Sequence, residues 1–223
     1  MLVIYSAPVA PPRASIRDSM RITHGVRPDE WTSVSLELPT ASGSTRLRSL
    51  RRDDLLRFAE YRADPVLAAY QRWEPMTQAT AETFLSETVN ATHLVPGHWI
   101  QLALGDSASD LLLGDVGLYL SQDGTFVLLG FTLARAHHGK GHATRAAALA
   151  VQQAFRHPTV TEVRAVTNHL TQAAVAVLMR AAFRQIGTRE AVFKEKPCVE
   201  VLFARQRGQA GPLAHADPLR QAP

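Results

Sequence analysis

The chain has 223 residues, 46% of them hydrophobic, with a formal charge of +4. That is enough for one well-cored soluble domain or at most two small ones. A single cysteine, Cys198, excludes an internal disulfide and gives no support for a structural zinc site. No apolar run is long enough to span a bilayer. The opening MLVIYSAPVAPP lacks a basic leader and is cut by Pro8, so a cytoplasmic protein with no membrane partner is expected. The pI near 9.6 is mildly basic. The arginines at 46, 48, 51, 52, 57 and 62 are spread out and predict a solvated face, with no nucleic-acid partner.

Residues 1–43 carry several prolines and no sustained periodicity, and Met20 is an alternative start. Within them Trp31 to Leu38 alternates well enough for one strand, bounded by Pro39 and the Ala-Ser-Gly-Ser run at 41–44. This segment reads as an extension with one extra strand, followed by a domain over 44–207. Thr45 to Leu50 predicts a strand. Asp53 and Asp54 then suit the first turn of a helix that runs to Asp64-Pro65. Val66 to Gln71 reads as a short helix, and Arg72-Trp-Glu-Pro75 as a loop. Thr77 caps a helix whose face carries Ala81, Phe84, Leu85 and Val89.

The period then shortens. His98–Leu104, Leu111–Leu120 and Thr125–Leu133 predict an antiparallel meander, with a hairpin signal at Asp123-Gly124. Ala143, Ala146, Ala147, Ala150, Val151, Ala154 and Phe155 fall on one stripe of a long helix. Glu162 to Asn168 follows as a strand, and the helical crossover makes it parallel to the strand before that helix. Another helix starts at Thr171 or Gln172. Arg184–Lys194 and Cys198–Ala204 form a hairpin around Glu195-Lys-Pro197, and residues 208–223 read as a disordered tail. The fold class is α+β: a mixed, mostly antiparallel sheet of about seven strands with a central parallel pair and flanking helices.

The chemistry concentrates between Leu128 and Phe155, LLGFTLARAHHGKGHATRAAALAVQQAF. A glycine-bearing turn opening a helix offers unpaired N–H groups and the positive end of a dipole, a natural place for phosphate oxygens. Gly139 and Gly141 let backbone approach an anion closely. Lys140 and Arg135 add positive charge, and Arg145 sits in the first turn, where a bound anion would relieve its conflict with the dipole. The spacing is not that of a P-loop, because Gly141 follows Gly139-Lys140. It is not a dinucleotide fingerprint either, because Gly139-x-Gly141-x-x ends on Thr144 with no suitably placed acid after it. An ordinary strand–turn–helix link remains the bland alternative.

The run LLGFTLARAHHGKGHATRA resembles the acetyl-CoA-binding motif of the GNAT N-acetyltransferase superfamily, and most closely the subgroup that acetylates ribosomal-protein N-termini. As an order of elements the resemblance extends from Thr45 to about Arg205. It implies acetyl-CoA as co-substrate, with the pyrophosphate on the backbone of His138, Gly139, Lys140, Gly141, His142 and Ala143. The pantetheine arm would lie along Phe131, Thr132 and Leu133. The family's Asn position falls at Thr171 when the helix end is set on Ala182-Phe183, and its Ser position then falls at Ala174. Its usual acid falls at Leu178, and a frequent glutamate at Leu128, so both lose their chemistry.

Acetyl transfer asks for a deprotonated amine, a donor for the oxyanion and a proton for the leaving thiolate. Glu74, flanked by Trp73 and Met76 in the loop beside the acceptor region, is the first candidate base, on the expectation that Trp73 raises its pKa by desolvation. Asp115 is the second. His137, His138 and His142 lack a further ligand partner, so no metal is expected. An N-acetyltransferase acting on a protein N-terminus or a small amine is the leading reading. A catalytically weak acyl-CoA-binding regulator is the alternative, and a nucleotide-phosphate binder on the same turn is disfavoured. A homodimer is left open.

Overall fold

The computed structural model of the chain describes residues 33–89 and 91–209. Strands β1 (Val34–Ser35) and β4 (His93–Leu94) form a small ladder of their own. The main sheet has eight strands in the order β2 (Thr40–Ser42), β3 (Thr45–Ser49), β5 (Trp99–Asp106), β6 (Leu112–Leu120), β7 (Phe126–Leu133), β8 (Glu162–Asn168), β10 (Lys196–Gln206) and β9 (Arg184–Phe193). Every neighbouring pair is antiparallel except β7 and β8.

Among the described residues five α-helices flank it: α1 (Leu55–Arg62), α2 (Pro65–Ala68), α3 (Gln78–Thr88), α4 (His142–Ala154) and α5 (Gln172–Arg180). Local chemistry sets their ends. Asp64 accepts the Val66 N–H at 2.9 Å, and Pro65 opens α2, where a missing donor costs nothing. Thr77 accepts the Thr80 N–H at the start of α3. Ala182 takes a left-handed φ of 63° to close α5, while the Phe183 N–H returns to the Leu178 carbonyl at 2.9 Å.

Apolar side chains lie on both faces of the sheet. On one face the stripe of α4 packs with Val177 and Leu178 of α5 against Leu129, Phe131, Leu133 and Phe203. On the other, Phe58, Tyr61, Ala81 and Leu85 cover Ala103 and Leu112, with the Phe58 and Phe84 rings stacked at 5.4 Å.

Several expectations are revised. The strand count rises because 40–42, read as a loop, pairs with β3 across a turn where Gly43 has φ 54°. Of the strand expected over 31–38, residues 31 and 32 lie outside the described ones and Val34–Ser35 pairs as a strand, with the Leu36 N–H still reaching the Thr92 carbonyl. The hairpin turns at Lys194-Glu195, both left-handed (φ 48° and 62°), so Lys196 and Pro197 already belong to β10. The arginines are not all solvated: Arg48 is buried against Asp54 and Asp110, and Arg62 against Asp115. Met20 and most of the 208–223 tail lie outside the described residues.

Residues 36–42 are tied into the fold. Leu36 is 6% exposed within the α4-side core, and the Glu37 N–H donates to Gln153 Oε1 on α4 at 2.8 Å. Leu36→Ala is therefore expected to destabilise the protein by about 2–4 kcal/mol, measured by urea unfolding with an unchanged slope.

Candidate active site

Parallel pairing of β7 with β8 covers only Phe126↔Glu162, Val127↔Val163 and Leu128↔Arg164. Beyond Leu128 the two strands part, while β7 stays paired to β6 as far as Leu133 and β8 to β10 as far as Asn168. The outcome is a V-shaped gap whose sides are backbone. Hydrogen-bonding groups of an antiparallel strand alternate between its two edges. The Ala134 N–H goes to the Leu113 carbonyl on the β6 side, at 2.9 Å. Phe131 and Leu133 therefore turn their N–H and C=O groups into the gap, whereas those of Thr132 face β6. Of the three residues expected to hold an extended ligand by backbone, two are oriented for it. The Thr132 side chain instead accepts from Gln71 Nε2 at 2.9 Å.

At the mouth of the gap the chain makes a short 3-10 turn, Arg135–His137, before α4. Gly139 and Gly141 have φ of 75° and 76°, left-handed backbone that side chains rarely adopt. Backbone pairing through the turn ends with the His138 N–H on Arg135 and resumes with the Arg145 N–H on Gly141. The N–H groups of Gly139 to Ala143 thus surround the positive end of α4, and a Cβ on Gly139 would meet nothing within 4 Å. The cradle fits a phosphate.

Arg145 is not left in conflict with the dipole, as the sequence suggested. Its guanidinium donates to Thr45 Oγ1, Ser44 Oγ and the Lys140 carbonyl at 2.8–3.0 Å, bracing the turn from behind. The three histidines of this segment differ in their surroundings. His142 is 6% exposed and bonded to Thr45 Oγ1, and His138 reaches the Leu133 carbonyl at 2.8 Å. Among the described residues no cluster of His, Cys, Asp or Glu is placed to hold a metal ion.

Thr171 heads α5 as expected, but its hydroxyl makes no capping bond and is buried without a partner. Ala174 and Leu178 are fully buried, and Leu128 nearly so. Asn168 turns its carbonyl oxygen back to the Leu170 N–H.

The two carboxylates behave differently from expectation. Glu74 is 77% exposed at its side chain and pairs with Lys194 Nζ at 2.8 Å. The Trp73 ring lies instead under the Arg62 guanidinium, 4.7 Å away, so the desolvation expected to tune Glu74 is absent. Lys194 also donates to the carbonyls of Ala68 and Trp73, strapping the β9–β10 hairpin to the loop after α2. Asp115 is 1% exposed and accepts from Tyr61 Oη, Arg62 Nε and Nη2, and Gln101 Nε2. Its lone pairs are committed to structure. Burial, then the Asp115 charge, pushes the Tyr61 phenol well above its usual range, so it stays a donor. Sequence reading missed this network because its members are scattered over 54 residues of chain.

Burial holds His137, His138 and His142 below the usual histidine pKa, reinforced at His142 by Arg145 and at His137 by Lys140. The unfolded chain therefore binds protons that the folded one refuses as pH falls below about 6.5. Stability from this source is complete above that value and lost on acidification. Thermal unfolding is expected to move to lower temperature between about pH 7.5 and 5.5, and His142→Asn to shrink that difference.

The sequence profile of the acetyltransferase (GNAT) domain matches residues 45–184, more than half of the chain. No curated protein matches the sequence. Among solved structures, a GNAT-family acetyltransferase from Bacillus anthracis superposes with a TM-score of 0.68 at 14% identity, covering 76% of this chain and 98% of the other. The RimL ribosomal L7/L12 alpha-N-protein acetyltransferase in complex with coenzyme A gives 0.65 at 12% identity, over 76% and 98% of the two chains. Microcin C7 self-immunity acetyltransferase MccE, in complex with acetyl-CoA and AMP, gives 0.65 at 11%, over 77% and 98%. At such identities the likeness speaks for the fold, and the family rests on the profile: with its parted strands and glycine turn, this chain belongs to the GNAT acetyltransferase family.

Proposed function

We infer that the protein transfers the acetyl group of acetyl-CoA to a primary amine. The observation that carries this is the continuity of two features: backbone groups of Phe131 and Leu133 facing an open gap, and a left-handed glycine turn at its mouth. In this reading the pyrophosphate lies on the N–H groups of residues 139–143, since the His138 N–H is already given to the Arg135 carbonyl, with Thr171 on the opposite bank. The pantetheine arm pairs with Phe131 and Leu133 as an extra strand would. The amine nitrogen attacks the thioester carbonyl, the carbon–sulfur bond breaks, and the nitrogen gives up a proton while the thiolate takes one.

Holding both reactants side by side supplies much of such a rate. Glu74, the expected base, is exposed and paired with Lys194, which favours an amine deprotonated by solvent. The alternative of a weakly active acyl-CoA sensor draws on the buried, inert Ala174 and Leu178. Thiol release with a panel of amines separates the two, because a sensor binds acetyl-CoA without turning it over.

Gly141→Val adds a branched side chain at a φ of 76°, with its Cβ about as close to the Arg145 guanidinium as 2.8 Å. Acetyl-CoA affinity is expected to fall by about tenfold to a hundredfold, by isothermal titration of protein whose circular dichroism is unchanged. Parental affinity would place the phosphates elsewhere. Glu74→Gln is expected to lower turnover by no more than about fivefold across the pH range. A far larger fall with loss of the acidic limb of the profile would restore Glu74 as the base.

A further inference from the structure

The sheet face turned away from α4 carries an unusual gap in its side chains. Same-face positions on β6 and β7 come in rungs: Tyr119 opposite Leu128, then Gly117 opposite Gly130, then Asp115 opposite Thr132. The middle rung has no side chain on either strand. Gly117 is covered, since a Cβ there would stand 3.1 Å from the Trp99 six-membered ring, so the indole lies across it. Over Gly130 there is nothing within 4 Å of a Cβ position. The bare place is bounded by the Trp99 and Tyr119 rings, 5.5 Å apart, at one end and by the committed Asp115–Gln101 and Thr132–Gln71 pairs at the other. Trp99 is 46% exposed.

Its position along the strand gives it meaning. Leu128 is the last residue of β7 paired to β8, so Gly130 sits where the gap opens, one residue before Phe131, whose backbone groups face it. The slot is therefore continuous with the thioester end of the groove proposed above, but on the opposite face from α4. One end is aromatic; at the other the polar side chains are already paired with one another, and the Asp115 charge is matched by Arg62.

We propose that this slot is the acceptor subsite, and that it takes a flat, apolar ring carrying its primary amine on a short alkyl linker. The ring lies on Gly130 against Trp99, and the linker delivers the nitrogen into the gap. Aromatic edges and faces favour such a group, and a protonated amine approaching along the indole is attracted by the ring as well. A long polyamine or a peptide N-terminus would leave this surface unfilled. The assignment of an acceptor rests on the transferase reading, whereas the slot as a binding place does not.

Phenethylamine and tryptamine are to be compared with n-butylamine, spermidine and a Ser-Ala peptide by thiol release. The arylalkylamines are expected to exceed n-butylamine in kcat/KM by about tenfold or more. Gly130→Val should cut their kcat/KM by about tenfold or more while acetyl-CoA affinity holds. Gly130→Ala guards against misfolding, because its added carbon meets nothing, and it should show a smaller loss of the same kind. Parental arylalkylamine kinetics in Gly130→Val, or a preference for the aliphatic or peptide acceptors, would overturn the proposal. If no amine is turned over although acetyl-CoA binds, the transferase reading fails. Saturation-transfer NMR with phenethylamine then decides the slot alone. A ring-proton signal with the parent protein that disappears in Gly130→Val supports the slot, and no signal with the parent protein overturns it.

Discussion

Two strands that pair for three residues and then separate govern the rest of this molecule. Each strand bordering the gap is secured on its far edge, β7 to β6 and β8 to β10, so neither can close the opening by bending toward the other. Backbone N–H and C=O groups left facing an opening need partners. The protein meets part of that demand itself, through His138 on the Leu133 carbonyl, and leaves the remainder available. Binding capacity here is a property of unfinished backbone pairing more than of any side chain.

The side chains around the gap mostly hold shape. Arg145 braces the glycine turn by its Lys140 carbonyl, Arg135 ties the preceding turn to Asp64 at 2.6 Å, and Lys194 ties the hairpin to the loop after α2. Arg62 does the same at depth, with its charge matched by Asp115 and its plane laid against Phe58 and Trp73. Removing one member of such a buried pair leaves the other charge stranded, which is far costlier than losing an exposed pair such as Glu74–Lys194. The contrast explains why a carboxylate that looked chemically promising in the sequence is a surface contact, and one that looked incidental is structural.

Periodicity revealed most of the fold. The α4 stripe, the three-strand meander, Thr77 as a cap and Glu162–Asn168 as a crossover strand all follow from local pattern, and the structure has them within a residue or two. Short pairings were harder to read: the three residues at Thr40–Ser42 carry no pattern of their own and pair across the Gly43 turn, and the strand read over 31–38 pairs as a strand only at Val34–Ser35, whose partner His93–Leu94 is distant in sequence. The glycine turn was legible because φ above zero at two nearby residues leaves a compositional trace. The environment of Glu74 was not, because Lys194 reaches it from 120 residues away. The empty rung at Gly117 and Gly130 depends on strand register, which a single sequence does not disclose.

The outer strand, β9, has ten residues and ends the sheet among the described residues, so one of its edges is open. Long open edges invite a second chain to continue the ladder, the first step of ordered aggregation. Here Arg184, Arg189 and Glu190 are spread along it, with Lys194 in the turn that follows, and the register shifts by one residue at Leu202/Phe203, which twists the ribbon locally. Charge and irregularity together make this edge a poorer template than a regular, uncharged strand of the same length, and offset the exposed Ile186 and Val192 that the strand also carries.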